Sequence, residues 1–523
     1  MSLEERASPL NSTQATTPLD PTSALHPETP AFPDTLPPGL PLCVDLDGTL
    51  VKSDTLLDSI VVLTRQHPAA ILKLPGWVLE GKASFKRHIT STVALDVVHL
   101  PYNRHLLQYL EEQAAQGREI YLATGADATL AQRVADHLGF FAGVLASDGS
   151  TNLIGNNKLA AFEARFGSHF CYIGNAHPDV PLLAACQYPM VANPHGTLST
   201  ALRSRSITPA ITFSDQRGTL QSWLKAIRLH QWAKNALIFL PLLLAHEHSP
   251  ALLLTACIAF LSFGLCASAT YIVNDLLDLE ADRKHLSKRR RPFAAGDISP
   301  LAGVAVILLF LIASLILALA IPHIVAALAP GQPLLRPYHF LGWLGIYLVT
   351  TLAYSLYLKR QVLVDVIVLS GLYTIRIIAG SAATGVPVST WLAAFSIFFF
   401  LSLAFVKRFA ELESLIQRNA VPANGRGYHT SDIEQLRAFG TASGYASVVV
   451  LTLYISDLAG SAHLYHHITR LWLLIPILLL WLSRLWLMAS RGTLHEDPVV
   501  YAITDRRSLA LGVLVLLVVL ISL

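Results

Sequence analysis

The chain has 523 residues, 53% of them apolar and only 14% charged, with a net charge of +3 at pH 7. That length exceeds one ordinary domain, and that apolar share excludes a wholly soluble protein. The small net charge says little about partners, although none of its pattern points to nucleic acid; five scattered cysteines without CxxC spacing exclude a disulfide framework and a thiolate zinc site.

Residues 1–40 are rich in Pro, Thr and Ser and lack an apolar h-region, so a disordered leader is expected and not a signal peptide. Residues 41–198 read as an α/β unit. In PLCVDLDGTLV a short apolar run precedes DxDGT, a strand that delivers Asp45 and Asp47 to its C-terminal end, where open α/β sheets bind ligands. Thr124 in EIYLATGAD, Lys158 in GNNKLAAFEARFG, and Asn175 and Asp179 in CYIGNAHPDVPLL follow in order near later apolar runs. A lone Lys158 would be an ordinary solvated lysine; its place in the ordered set carries the weight.

This ordered set resembles the haloacid-dehalogenase-like phosphatases. The resemblance implies a Rossmann-like fold in which Asp45 attacks phosphorus, Asp47 serves as general acid and base, Thr124 holds a phosphate oxygen and Lys158 steadies the transferred charge. It also implies Mg²⁺ held by Asp45, Asp47 and Asp179 with Asn175. Asn175 stands where the family commonly has a second acid, which removes one negative charge and lowers the expected metal affinity. Residues about 54–100 look helical and are expected to form a small cap over the site; residues 199–222 read as a polar linker.

From residue 223 onward, long apolar runs alternate with short basic loops. Runs near the bilayer-crossing length of about 20 residues fall at 229–246, 251–273, 301–322, 339–358, 362–383, 391–409, 441–460, 470–489 and 508–523, predicting an all-α bundle of about nine membrane helices. With the N-terminus inside, DRKHLSKRRRP, LKRQ, VKRFAELESLIQRN and the TDRRS stretch face the cytoplasm, and the opposite loops carry very few Lys or Arg. A multi-pass protein of the cytoplasmic membrane with a cytoplasmic N-terminal unit is expected.

The second run continues into YIVNDLLDLEADRKHLSKRRRPFAAG, where Asp275, Asp278 and Asp282, with Asn274, fall at helical spacings of three and four. Carboxylates gathered at the end of an apolar helix repel one another, and an oxygen-liganded Mg²⁺ would relieve that repulsion. The bland alternative is a solvated helix end whose acids pair with the bases that follow. Arg228, Lys234, Lys288, Arg291, Lys359 and Arg360 supply bases for a diphosphate, although the RRR run also serves topology. Lys234 interrupts an apolar run, where a purely structural lysine is costly.

NDxxDxxxD after the second run and YxxxLKR after the fourth resemble the UbiA-type prenyltransferase superfamily over roughly residues 222–523. RLHQWAKNALIFLPL, YSLYLKRQVLVDVIVLSGLYTIRIIAG and the KRFAEL stretch beginning at Lys407 are most similar to its polyprenyl-phosphate phosphoribosyltransferases. The resemblance implies Mg²⁺, a polyprenyl phosphate acceptor and phosphoribosyl diphosphate as donor; because that transfer leaves a phosphomonoester of the type the N-terminal fold hydrolyses, the N-terminal unit is expected to remove the 5-phosphate afterwards. Asp365 would orient the ribose or bond a neighbouring helix. The loop after the sixth run offers Glu411, Glu413 and Asp432 in place of a second DxxxD. Two other readings stand beside this one: prenyl transfer from a prenyl diphosphate to a quinone or hydroxybenzoate acceptor, and ion-coupled transport. The sequence does not fix the oligomeric state.

Overall fold

The computed structural model describes residues 37, 39–194, 196–215, 217–328, 337–417, 427–458, 465–494 and 498–522. The expected leader lies almost wholly outside the described residues. In the N-terminal half, β1 (Leu42–Val44), β2 (Ile120–Asp127), β3 (Gly143–Ser147), β4 (Cys171–Gly174), β5 (Tyr188–Ala192) and β6 (Ile211–Phe213) form one parallel sheet ordered β3-β2-β1-β4-β5-β6. Leu42 is in register with both Ile120 and Cys171, which makes β1 central. All three residues of β1 are buried, as a parallel strand covered on both faces requires. The strand order reverses between β1 and β4, and a reversal of this kind opens a crevice at the carboxyl ends of the strands.

After β1 the chain turns into α1 (Thr55–Gln66), whose first N–H groups are capped by the Asp54 carboxylate. With α2 (Lys82–Thr92) it occupies much of the stretch expected to be a cap. The stretch read as linker is partly structured. It holds β6, with Phe213 only 1% exposed, and the start of α3 (Thr219–Ile227). Polar neighbours on both sides hide this strand in the sequence, because three residues are too few to display an alternating pattern.

The C-terminal half is helical. α4 (Pro250–Leu277) ends at a joint on Asp278, and the short α5 (Leu279–Lys284) continues from it. Then come α6 (Pro300–Leu328), α7 (His339–Leu356), α8 (Val364–Thr384), α9 (Thr390–Gln417), α10 (Ile433–Leu458), α11 (Leu474–Ser490) and α12 (Arg506–Ser522). Among the described residues seven helical stretches are long and apolar enough to cross a membrane, where nine were expected. The first expected run is instead a 3-10 segment, Leu229–Phe239, followed by a five-residue helix, Leu240–Leu244. Pro241 lacks the N–H that would extend an α-helical ladder there, and Asn235 and Lys234 break the apolar face. The last run forms a helix of 17 residues, just under the length that spans a bilayer core. α6 leaves Leu308, Leu309 and Ile312 more than half exposed, as a surface facing lipid would.

Candidate active sites at the joint of the two halves

A cavity of about 680 Å³ opens at the carboxyl ends of β1 and β4 and is lined by Asp45, Asp47, Lys158, Asn175 and Asp179. Four of the expected N-terminal site residues therefore converge with the departing Asn175. Lys158 Nζ donates to Asp45 Oδ1 at 2.7 Å and to the Tyr172 hydroxyl at 2.9 Å, and that hydroxyl donates to Asp179 Oδ1 at 2.7 Å. The result is a chain from Asp179 through Tyr172 and Lys158 to Asp45. Asp47 accepts the Thr55 N–H at 2.8 Å, which ties it to the first turn of α1. Burial pushes the Asp45 carboxyl up to about 6, against the pull of Lys158. Burial, with the neighbouring Asp54 carboxylate, pushes Asp47 up to about 7. A carboxyl held there can carry a proton at neutral pH, as a general acid must.

The turn that presents these acids depends on Gly48, at φ +75°, where a Cβ would lie 1.9 Å from Asn175 Nδ2. Thr124 is fully buried, its hydroxyl oxygen accepts the Ala126 N–H at 3.0 Å, and it does not line the cavity. Asp179, the expected metal ligand, accepts from the Tyr172 hydroxyl and from the Asn175 and Ala176 N–H groups. Through the Tyr172 hydroxyl, Asp179 also positions Lys158.

The second site lies where α4 meets α5. Arg228, at the end of α3, donates to Asp275 Oδ1. Arg291 Nη1 donates to the same oxygen at 3.1 Å and to Asp282 Oδ2 at 2.6 Å. Lys359 Nζ donates to Asp278 Oδ2 at 2.7 Å and reaches Asn274 Oδ1 at 3.4 Å. The three acids do not project from one continuous helix face, because the backbone breaks at Asp278 (φ −94°, ψ 10°). Asp275 and Asp282 share Arg291, whereas Asp278 turns to Lys359 and lies 3.7 Å from Arg65. Among the described residues no three His, Cys, Asp or Glu side chains gather as a metal-holding group. The donor set nevertheless fits a hard cation: two carboxylate oxygens converge on one point, which the Arg291 nitrogen now takes.

The remaining expected residues divide. Lys288 lies in a short 3-10 turn beside this cluster, and Arg360 is exposed after α7. Lys234 stacks over the Tyr373 ring at 5.4 Å, inside the bundle. Asp365 is fully buried and bonds Arg408 and the Tyr428 hydroxyl, which gives it a helix-bonding place; Lys407 precedes that arginine on α9. Of the alternative acids, Glu411 pairs with Arg408 at 2.7 Å and Asp432 accepts the His429 N–H at 2.8 Å.

Sequence reasoning missed several residues. Arg283 pairs with Asp58, and Lys52 faces Asp297 at 3.7 Å, both across the joint. Lys86 of α2 lines the cavity and donates to Asn152 Oδ1 at 2.8 Å. Arg376 is buried in the bundle, donating to Asn235 Oδ1 at 2.9 Å and the Tyr347 hydroxyl at 3.2 Å. Of these only Arg283 had a usable signal, as the base directly following Asp282.

The sequence pattern of the UbiA prenyltransferase family matches residues 236–509. An uncharacterized protein of Sinorhizobium fredii is 36% identical over 479 residues, which are 91% of this chain and 90% of that protein. Decaprenyl-phosphate phosphoribosyltransferase of Mycobacterium tuberculosis is 34% identical over 242 residues, 45% of this chain and 74% of its own length. Among solved structures, a UbiA homolog from Archaeoglobus fulgidus bound to GPP and Mg²⁺ covers 57% of this chain and 96% of its own, with a TM-score of 0.42 and 16% identity.

Proposed function

Because the chain belongs to the UbiA prenyltransferase family and is related to decaprenyl-phosphate phosphoribosyltransferases, we propose that its membrane half transfers phosphoribose from phosphoribosyl diphosphate to a polyprenyl phosphate. The observation that carries this reading is the interlocked set of Asp275, Asp282, Arg228 and Arg291 at the ends of the helices, with the Lys359–Asp278 pair beside it. A phosphate oxygen of the lipid attacks the anomeric carbon as its bond to the diphosphate oxygen breaks, and the electron pair leaves with the diphosphate. Arg228, Arg291 and Lys359 are placed to take up the charge that develops on that leaving group. Mg²⁺ held by Asp275 and Asp282 would supply further neutralisation of the same charge. The engagement of Glu411 and Asp432 in local structure favours this donor over the aromatic-acceptor reading, which asks for a second acidic motif.

The N-terminal cavity serves phosphomonoester hydrolysis in this reading. Asp45 attacks phosphorus and the P–O bond to the alcohol breaks, with Asp47 donating the proton that the leaving oxygen needs. Asp47 then takes a proton from the water that attacks the aspartyl-phosphate, inorganic phosphate departs and Asp45 is restored. Lys158 offsets the transferred charge. The substrate is the 5-phosphate left by the first reaction, and both sites lie on the cytoplasmic side of the inner membrane.

Membranes containing the protein, given phosphoribosyl diphosphate and polyprenyl phosphate, are expected to release pyrophosphate only when both are present. Release that instead requires prenyl diphosphate with 4-hydroxybenzoate would overturn the assignment.

A further inference from the structure

The N-terminal cavity is not closed by N-terminal residues alone. Gly296, Asp297 and Ser299, from the loop after the acid cluster, line it, as does Thr219 at the start of α3. This wall is built in. Gly296 sits at φ +74°, and a Cβ there would lie 2.9 Å from Lys52 Cβ, so backbone packs directly on backbone. The Asp297 side chain is 1% exposed and lies between Lys52 at 3.7 Å and Arg217 at 4.0 Å, and its Oδ2 has no hydrogen-bond partner among the described residues. The same stretch of chain carries Arg291, which holds Asp275 and Asp282.

Two elements run between the sites. α1 begins on Asp47 through Thr55 N–H, and Arg65 in its last turn reaches Asp278. Twelve residues at 1.5 Å each make α1 about 18 Å long. α3 begins at the cavity wall with Thr219 and is followed by Arg228 on Asp275. On its outer face Leu220 is 74% exposed and Leu224 48% exposed, one turn apart, an apolar strip beside the cavity. An amphipathic helix of this kind rests an apolar face against lipid.

We propose that the membrane half selects the substrate of the N-terminal cavity: a sugar phosphate carried on an isoprenoid lipid, with its sugar bounded by Gly296–Ser299 and its chain laid along Leu220 and Leu224. This rests on the phosphomonoesterase reading above and adds what that reading leaves open, the discrimination against free sugar phosphates. Asp297 is the specificity-determining residue, a carboxylate in the cavity wall held between Lys52 and Arg217.

The test uses the full chain in membranes and follows phosphate release from ribose 5-phosphate and from the lipid product made in place from phosphoribosyl diphosphate and polyprenyl phosphate. Wild-type protein is expected to favour the lipid substrate by about 100-fold or more in kcat/KM. Asp297→Asn, and separately Leu220→Gln with Leu224→Gln on the exposed face of α3, should each lower that ratio by about 10-fold, through KM and not kcat. Equal losses on both substrates in every variant, or a wild-type ratio near one, would overturn the inference while Asp45-dependent hydrolysis kept the phosphatase reading intact. If Asp45→Asn leaves phosphate release from both substrates unchanged, the phosphatase reading falls and takes the inference with it.

Discussion

Arg283 Nη2 donates to Asp58 Oδ2 at 2.8 Å across the joint between the two halves, with the side chains only 4% and 0% exposed. The Ser53 hydroxyl donates to the same carboxylate oxygen at 2.6 Å, and Arg283 Nε reaches the Ala294 carbonyl at 3.2 Å. A pair taken this far out of water is costly to half-remove, because the remaining charge keeps its desolvation penalty and loses its partner.

Arg283→Met is therefore expected to destabilise the full chain by about 3–5 kcal/mol. Asp58→Asn combined with Arg283→Met should cost less than Arg283→Met alone, since no bare charge remains at the joint. Thermal unfolding of the purified protein and its two variants checks this. A single variant as stable as wild type would mean that the joint opens readily in solution.

How much of this was legible follows from reach along the chain. The DxDGT run and NDxxDxxxD place their acids within a few residues of one another, so local spacing exposes them. The parallel sheet is likewise announced by short apolar runs with acids or polar turns at their ends. The chain from Asp179 through Tyr172 to Lys158 was hidden because Tyr172 sits inside a buried strand and reads as core. Asp58 and Arg283 are separated by 225 residues, and no one-dimensional pattern pairs them. The break at Asp278 was missed for another reason: spacing of three and four presumes one continuous helix, and the sequence LLDLEAD carries no proline or glycine to mark its interruption.

Tyr172 has a consequence of its own. Tyr172→Phe removes the hydroxyl that connects Lys158 to Asp179 but keeps the ring, which packs against Phe162 at 5.9 Å. Phosphomonoester hydrolysis should lose about 10-fold in kcat with little change in KM, whereas Lys158→Met, which removes the charge itself, should lose 10²-fold or more, on the order of an electrostatic stabiliser. Steady-state kinetics of phosphate release separates the two. Equal effects from both would show that Tyr172 holds the site's fold and not the lysine's aim.

At the second site, Asp275→Asn and Arg291→Gln each break the point where two carboxylates and two guanidinium groups meet. Pyrophosphate release is expected to fall by about 10²–10³-fold in either, with Asp278→Asn milder because Asp278 stands apart on Lys359. EDTA should abolish release and added Mg²⁺ restore it. Release that persists under EDTA would leave the arginines and Lys359 as the whole of the charge compensation.

Asp365 separates a binding role from a structural one. Its carboxylate is fully buried between Arg408 of α9 and the Tyr428 hydroxyl, and Arg408 also donates to Tyr354 at 3.0 Å and Glu411 at 2.7 Å. Asp365→Asn keeps the shape and removes the charge, so Arg408 is left with Glu411, which is more exposed. Loss of one partner of a buried pair costs on the order of 3 kcal/mol or more, and the effect should appear as a lower unfolding temperature. The KM for phosphoribosyl diphosphate should stay within about 2-fold of wild type, because a residue enclosed between helices binds no substrate. A large rise in KM at unchanged stability would return Asp365 to the ribose.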